Sequence, residues 1–200
     1  MSALSALYQE ICSCNKCEIA RFRTRAVPGE GPENAEIMFI GEGPGFHEDQ
    51  QGRPFVGQAG QFLNELLSSI GLQRTDVYIT NIIKTRPPGN RDPLLAEIEN
   101  CKPWLDRQIE IIRPKIIVTL GRYSLARFFP GKTIGQVHGT SAAKDGVICF
   151  AMYHPAAALH QQSLREVLLK DMQRIPKILA ELNSTPPEVR KADISQLPLF

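Results

Sequence analysis

No apolar run in this 200-residue chain approaches the ~20 residues that a bilayer-spanning helix needs. The first residues, Met1-Ser2-Ala3-Leu4, carry no basic cluster, so a secretory leader is not expected and a cytoplasmic location is. Excess charge of either sign is missing too. Lys and Arg number 23 against 21 Asp and Glu, a net of +2, which by itself does not announce a nucleic-acid binder. Any affinity for phosphate must come from where cations sit locally. No internal repeat is visible. Cysteine is sparse and odd in number: Cys12, Cys14 and Cys17 crowd near the start, while Cys101 and Cys149 stand far apart. In a reducing compartment that pattern favours metal ligation over a disulfide framework.

What is present is enough for one domain, since 42% of the residues are apolar and a chain of this length can bury its own core. Four short apolar runs read as buried strands: Glu36–Gly41, Val77–Ile82, Lys115–Leu120 and Val147–Met152. Helical patterns occupy Ala3–Ile11, Gln58–Ile70, Leu94–Ile112, Arg122–Phe129 and Leu164–Leu182. The alternation predicts an α/β fold, three layers with a central, mainly parallel four-stranded sheet over residues 1–182. Residues 183–200 turn polar and proline-bearing, which predicts a flexible tail.

In parallel α/β sheets the carboxyl ends of the strands form the ligand crevice. Strand one runs there into Gly41-Glu42-Gly43-Pro44-Gly45, strand two into Asn81, strand three into Gly121-Arg122, and strand four into Tyr153-His154-Pro155. Gly, Glu, Asn and His therefore converge on one edge. Nucleotide hydrolysis is a poor fit. The glycine turn lacks the Gly-Lys-Ser/Thr that a phosphate loop requires, and Gly131-Lys132-Thr133 has Ala126 where the earlier glycine belongs.

Read together, Ile40–Gly45, Glu48-Asp49 and Gly52-Arg53-Pro54-Phe55-Val56-Gly57-Gln58-Ala59-Gly60 resemble the first motif of family-four uracil-DNA glycosylases. That family usually has alanine where this chain has Gly43. The resemblance continues through Asn81-Ile82-Ile83-Lys84, Arg86–Arg91, Cys101–Leu105, Pro114-Lys115, Leu120-Gly121 and His154–Ala157, in order and over about residues 11–178. It implies a monofunctional enzyme that cuts uracil from DNA and leaves an abasic site, working as a monomer.

The residue types suit that chemistry. A base must leave the duplex before an enzyme can act on it, and Phe55 offers a face for the extruded pyrimidine. The Asn81 amide can pair with O4 and N3–H of uracil, whereas cytosine presents the opposite pattern. Gly43 and Gly45 allow close backbone approach. His154 could donate to O2 as negative charge develops there. Glu42 is the first candidate for the carboxylate beside the sugar and Glu48 the second, and the sequence does not choose. Arg53, Lys84, Arg86, Arg91 and Arg122 are candidate DNA contacts. Nothing in the sequence indicates that Lys84 is desolvated enough to act as a nucleophile. Residues 155–160 resemble the segment that wedges into the duplex, with Leu159 as the wedge; family members often have arginine where His160 stands.

Cys14, Cys17 and Cys101 match three of the four ligands of the family's structural [4Fe–4S] cluster, but Thr85 occupies the usual position of the remaining cysteine. Clusters are held by thiolates. Three readings stay open: the cluster takes an exogenous fourth ligand, it recruits Cys12, or it is lost; zinc is a weaker option, and Cys149 reads as a buried strand residue. The final Gln196-Leu197-Pro198-Leu199-Phe200 resembles the short peptides that bind the bacterial sliding clamp. Two rivals stand beside the uracil reading. One is a broader glycosylase accepting hypoxanthine, xanthine or mispaired thymine. The other is a non-catalytic iron–sulfur protein tethered to DNA or the clamp.

Overall fold

In the computed structural model, which describes residues 2–184, each apolar run becomes a strand close to its expected limits. In chain order the strands are β1 (Ile37–Gly41), β2 (Tyr78–Asn81), β3 (Ile116–Leu120), a short added β4 (Ser141–Lys144) and β5 (Val147–Met152). The helices are α1 (Ala3–Ser13), α2 (Phe46–Gln51), α3 (Gln58–Ser68), α4 (Leu95–Ile112), α5 (Arg122–Phe128), α6 (Ile134–Val137), α7 (Ala157–His160), α8 (Ser163–Met172) and α9 (Ile175–Ser184).

The sheet order is β2-β1-β3-β5-β4. The first four strands in that order are parallel, and β4 runs antiparallel to β5. Successive strand side chains point to opposite faces. Met38, Ile40, Ile117 and Cys149 therefore join Leu7 of α1, Leu105 of α4 and Leu125 of α5 in one apolar cluster. Ile37, Phe39, Val118 and Phe150 join Leu63 and Leu66 of α3 and Leu168 of α8 in the other. Two cores on one sheet give the expected three layers.

Two details differ from the sequence reading. The added strand β4 is the outer arm of a hairpin closed by Asp145-Gly146, both at positive φ (51° and 82°), the pairing that a two-residue turn demands. The single helix expected over 164–182 is two, α8 and α9. Pro176 has no N–H to continue the ladder and sits in the first turn of α9, where that loss is tolerated. Among the described residues no helix is long and apolar enough to cross a membrane. The tail at 185–200, including its last five residues, lies outside the described residues.

The chain leaves β1 toward β2 on one side and later crosses to β3 on the other. This reversal opens a crevice at the carboxyl ends of the strands. Segments following β1, β2 and β5 all arrive there.

Candidate active site

A cavity of about 280 Å³ occupies that crevice, and Glu42, Gly43, Gly45, Glu48, Phe55, Asn81, Arg91 and His154 all line it. Its size suits one small ring system rather than a dinucleotide, because drug-sized pockets begin near ~300 Å³. The sequence-predicted base-binding and catalytic residues are thus brought together. A wider open groove of about 990 Å³, against α4 and α5, gathers none of them.

Phe55 enters the cavity from a strained backbone. Its φ is +52°, a region that costs a non-glycine residue free energy unless its surroundings hold it there. Arg74 does so, donating to the carbonyl of Phe55 at 3.0 Å and that of Pro54 at 2.7 Å. Gly60 in α3 lets that carbonyl approach; a Cβ there would sit 1.8 Å from the Phe55 oxygen. Gly41 at the end of β1 is equally constrained, since a Cβ would lie 2.5 Å from Asn81 Oδ1 and 2.6 Å from the Phe55 ring. The Phe55 and His154 rings stack at 5.5 Å, 26° from parallel.

His154 Nδ1 accepts the backbone N–H of Ala156 at 3.1 Å, so the neutral ring carries its proton on Nε2. Burial lowers the His154 pKa to about 4, against a smaller opposing effect of the Glu48 charge, and keeps the ring neutral near pH 7. Asn81 is buried, and its Oδ1 is one of two buried side-chain polar atoms without a hydrogen-bond partner among the described residues. Buried polar groups are nearly always paired, so an orphan lining a cavity marks a place for a ligand.

The two carboxylates separate clearly. Glu48 Oε1 accepts the N–H groups of Val56 and Gly57, at 2.8 and 2.9 Å, and Oε2 accepts that of Gly45 at 3.1 Å. Both oxygens are engaged in tying the glycine turn to the Phe55 loop. Glu42 has no hydrogen-bond donor among the described residues. Burial raises its pKa, the Asp92 charge adds to the rise, and Arg122 opposes it.

Comparison with known proteins shows the family. Residues 28–182 fit the family model of the uracil DNA glycosylase superfamily. The chain is 49% identical over 188 residues to the type-4 uracil-DNA glycosylase of Sulfurisphaera tokodaii, covering 89% of this chain and 86% of that protein. It is 44% identical over 194 residues to the Archaeoglobus fulgidus type-4 enzyme, covering 92% and 98%. With the Thermotoga maritima type-4 enzyme it shares 42% over 171 residues, covering 83% and 89%. The chain belongs to the type-4 uracil-DNA glycosylase family.

On this glycosylase scaffold the expected cations divide. Arg91 lines the cavity and forks onto Glu97 at 2.9 and 2.6 Å. Arg86 sits over the Phe46 ring and donates to Asn90. Arg53 is exposed and grips Glu30 through two hydrogen bonds, and Arg122 pairs with Asp92. Leu159, the expected wedge, is 45% exposed on α7.

Lys84 does not belong with them. It is 2% exposed, and its ammonium donates to Thr80 Oγ1 at 2.7 Å, the Asn81 carbonyl at 2.8 Å and Gln108 Oε1 at 2.6 Å. A phosphate cannot reach it. Contrary to the sequence reading it is strongly desolvated, and burial pulls its pKa to about 7 against the opposing Cys101 charge. Three acceptors nevertheless occupy its protons, and it does not line the cavity.

Cys14, Cys17 and Cys101 approach one another between the N-terminal segment and α4: burial raises the Cys17 thiol pKa, and Cys14 and Cys101 lie close enough to influence it. Burial pushes the Cys101 thiol up to about 11. Among the described residues no three acidic, histidine or cysteine side chains are placed to hold a single ion. A cluster spaces its thiolates more widely than a single ion does. At the remaining corner the Thr85 hydroxyl accepts Arg23 Nη1 at 3.3 Å, and Arg23 Nη2 donates to the Cys12 carbonyl at 2.6 Å. Cys12 itself is exposed. Cys14, Cys17 and Cys101 are the thiols that would hold an iron–sulfur cluster, and the family's usual fourth position carries the Thr85 hydroxyl.

Proposed function

We propose that the chain hydrolyses the N-glycosidic bond of uracil in DNA, as a monofunctional glycosylase of base excision repair. The observation that carries this is the unpaired Asn81 Oδ1 in a base-sized cavity shared with Phe55, His154 and Glu42. Extruded uracil packs against Phe55. Its N3–H supplies the donor that Asn81 Oδ1 lacks, and the Asn81 NH₂ donates to O4. Cytosine would turn an acceptor toward Oδ1 and leave it unpaired, a cost of ~1–3 kcal/mol.

As the C1′–N1 bond breaks, its electron pair moves onto the base and the sugar becomes cationic. The Nε2–H of neutral His154 donates to O2, where charge accumulates; one preorganised donor of this kind is worth ~2.7–4 kcal/mol. The Glu42 carboxylate steadies the sugar cation, orients the water whose oxygen bonds C1′ and accepts the proton that this water loses. Uracil leaves with the electron pair of the broken bond. Glu48 acts through the loops it ties together and is a positioning residue. No lysine nucleophile takes part. Arg86, Arg91 and the more exposed Arg53 and Arg122 contact phosphates, and Leu159 fills the space the base vacates.

A [4Fe–4S] cluster held by Cys14, Cys17 and Cys101, with a non-thiolate fourth ligand, fits as a structural tie between the N-terminal segment and α4. Cytoplasmic location and a monomeric state follow as parts of the same reading. Residues Gln196, Leu197, Leu199 and Phe200 support the sliding clamp as a second partner on sequence alone. Deleting 196–200 should then abolish clamp binding and spare excision.

The purified protein, incubated with oligonucleotides bearing uracil, hypoxanthine or a G·T mispair and then treated with alkali, should cleave at uracil. Strong cleavage at the other lesions would support the broader glycosylase. Cleavage at none would end the enzymatic reading.

A further inference from the structure

Phe46 is a large aromatic residue left 51% exposed, directly after Gly45 of the cavity lining and at the start of α2. Isolated exposed apolar residues are common and need no function. This one is held in place. The Arg86 guanidinium lies over its ring, 5.2 Å from the centroid, and His47 meets it edge-on at 5.5 Å. Arg86 is itself fixed, donating through Nε to Asn90 Oδ1 at 2.6 Å. Asn90 and Pro87, the residue after Arg86, both line the cavity. The ring and its cation therefore stand on the rim of the uracil cavity.

From this we infer that Phe46 and Arg86 form a stacking platform for the base next to the uracil on the same strand. The inference rests on the uracil-excision reading and deepens it. Extruding one base removes a stacking partner from its neighbour. An aromatic ring beside a cation is the surface on which single-stranded nucleic acid stacks without regard to sequence, because every base has a π-face. The ring is already immobilised by Arg86 and His47, so little side-chain freedom is lost when a base settles on it. The guanidinium also brings positive charge to the backbone of that nucleotide.

The test is a double-mutant cycle between protein and DNA. Single-stranded oligonucleotides carry uracil flanked by normal bases, or by an abasic spacer on its 5′ or its 3′ side. Kd is measured for the wild type, Phe46→Ala and Phe46→Trp, and uracil release is followed in parallel. In the wild type, a spacer on one side should weaken binding by about tenfold. Phe46→Ala should weaken binding to the normal strand by a similar factor and be insensitive to that spacer, and Phe46→Trp should restore the sensitivity. Additive losses on both sides, or an unchanged Kd in Phe46→Ala, would overturn the platform. A wild type that binds with this pattern yet releases no uracil would sink the excision reading and leave the platform standing.

Discussion

The ammonium of Lys84 donates to the main-chain carbonyl of Asn81 at 2.8 Å, so a buried cation braces the residue proposed to read the base. The same ammonium reaches Thr80 in β2 and Gln108 in α4. Gln108 in turn donates to the Tyr78 hydroxyl, which meets Tyr8 of α1. One polar network thus links β2 to the two helices behind it.

Salt dependence separates this brace from a phosphate contact. Lys84→Met leaves three buried acceptors without their donor and should lower stability by roughly 1–3 kcal/mol. The slope of log Kd for DNA against log salt should not change, because Lys84 touches no phosphate. Arg86→Ala should reduce that slope by about 0.7–0.9. A flattened slope in Lys84→Met would place the lysine at the backbone after all.

The paired carboxylates should respond in opposite senses. The folded pKa of Glu42 is raised, so its charged form is held at a cost that grows as pH rises from the unfolded carboxylate pKa through the folded one. Glu42→Gln should therefore raise the melting temperature at pH 7 while reducing kcat by about 10²–10⁴-fold. Glu48→Gln puts an NH₂ group among three backbone donors and should lower the melting temperature. A loss of stability in Glu42→Gln would show that its carboxylate has a partner.

Lys84 reads as a surface cation because the groups that bury it lie far along the chain. Lys84 sits among Arg86, Arg91 and prolines, a context that signals an exposed basic loop. Burial comes from Thr80 and from Gln108, 24 residues away in α4, and no local pattern announces that pairing. Arg74, which holds the strained Phe55 carbonyl, escaped notice for the same reason. The buried parallel strands were legible because two covered faces require continuous apolar runs. The edge strand Ser141–Lys144 was not, since its burial is slight, although Asp145-Gly146 carried a hairpin signal. The convergence of strand-end residues on one cavity is legible by position, whereas the different surroundings of Glu42 and Glu48 depend on three backbone donors from other segments.

The neutrality of His154 has a measurable consequence for acid stability. Its folded pKa is about 4 against an ordinary value of 6.5, so between those values the unfolded chain binds the proton more readily. Stability contributed at this site is full above pH 6.5 and falls as pH drops toward 4, by about 3 kcal/mol. His154→Gln should lack that component of the acid slope and lose about 10²–10³ in kcat. An unchanged stability profile between pH 6.5 and 4 would mean that the imidazole protonates freely in the folded protein and that burial does not hold it neutral.

Metal binding should appear first as stability. The Cys101 thiol is pushed up to about 11 by burial, so without metal it stays protonated near pH 7, and ligation must displace that proton. If Cys14, Cys17 and Cys101 hold a cluster, its binding energy fastens the segment after α1 to α4 and counts as folding energy. Cys101→Ser should then lose iron, melt at lower temperature and bind DNA less tightly, because the network through Gln108 and Lys84 lies beside the same helix. Thr85→Cys supplies a thiolate at the corner now closed by the Arg23 contact, and should retain iron longer under a chelator. Equal iron content and equal melting temperature in the wild type and Cys101→Ser would remove the cluster from this fold.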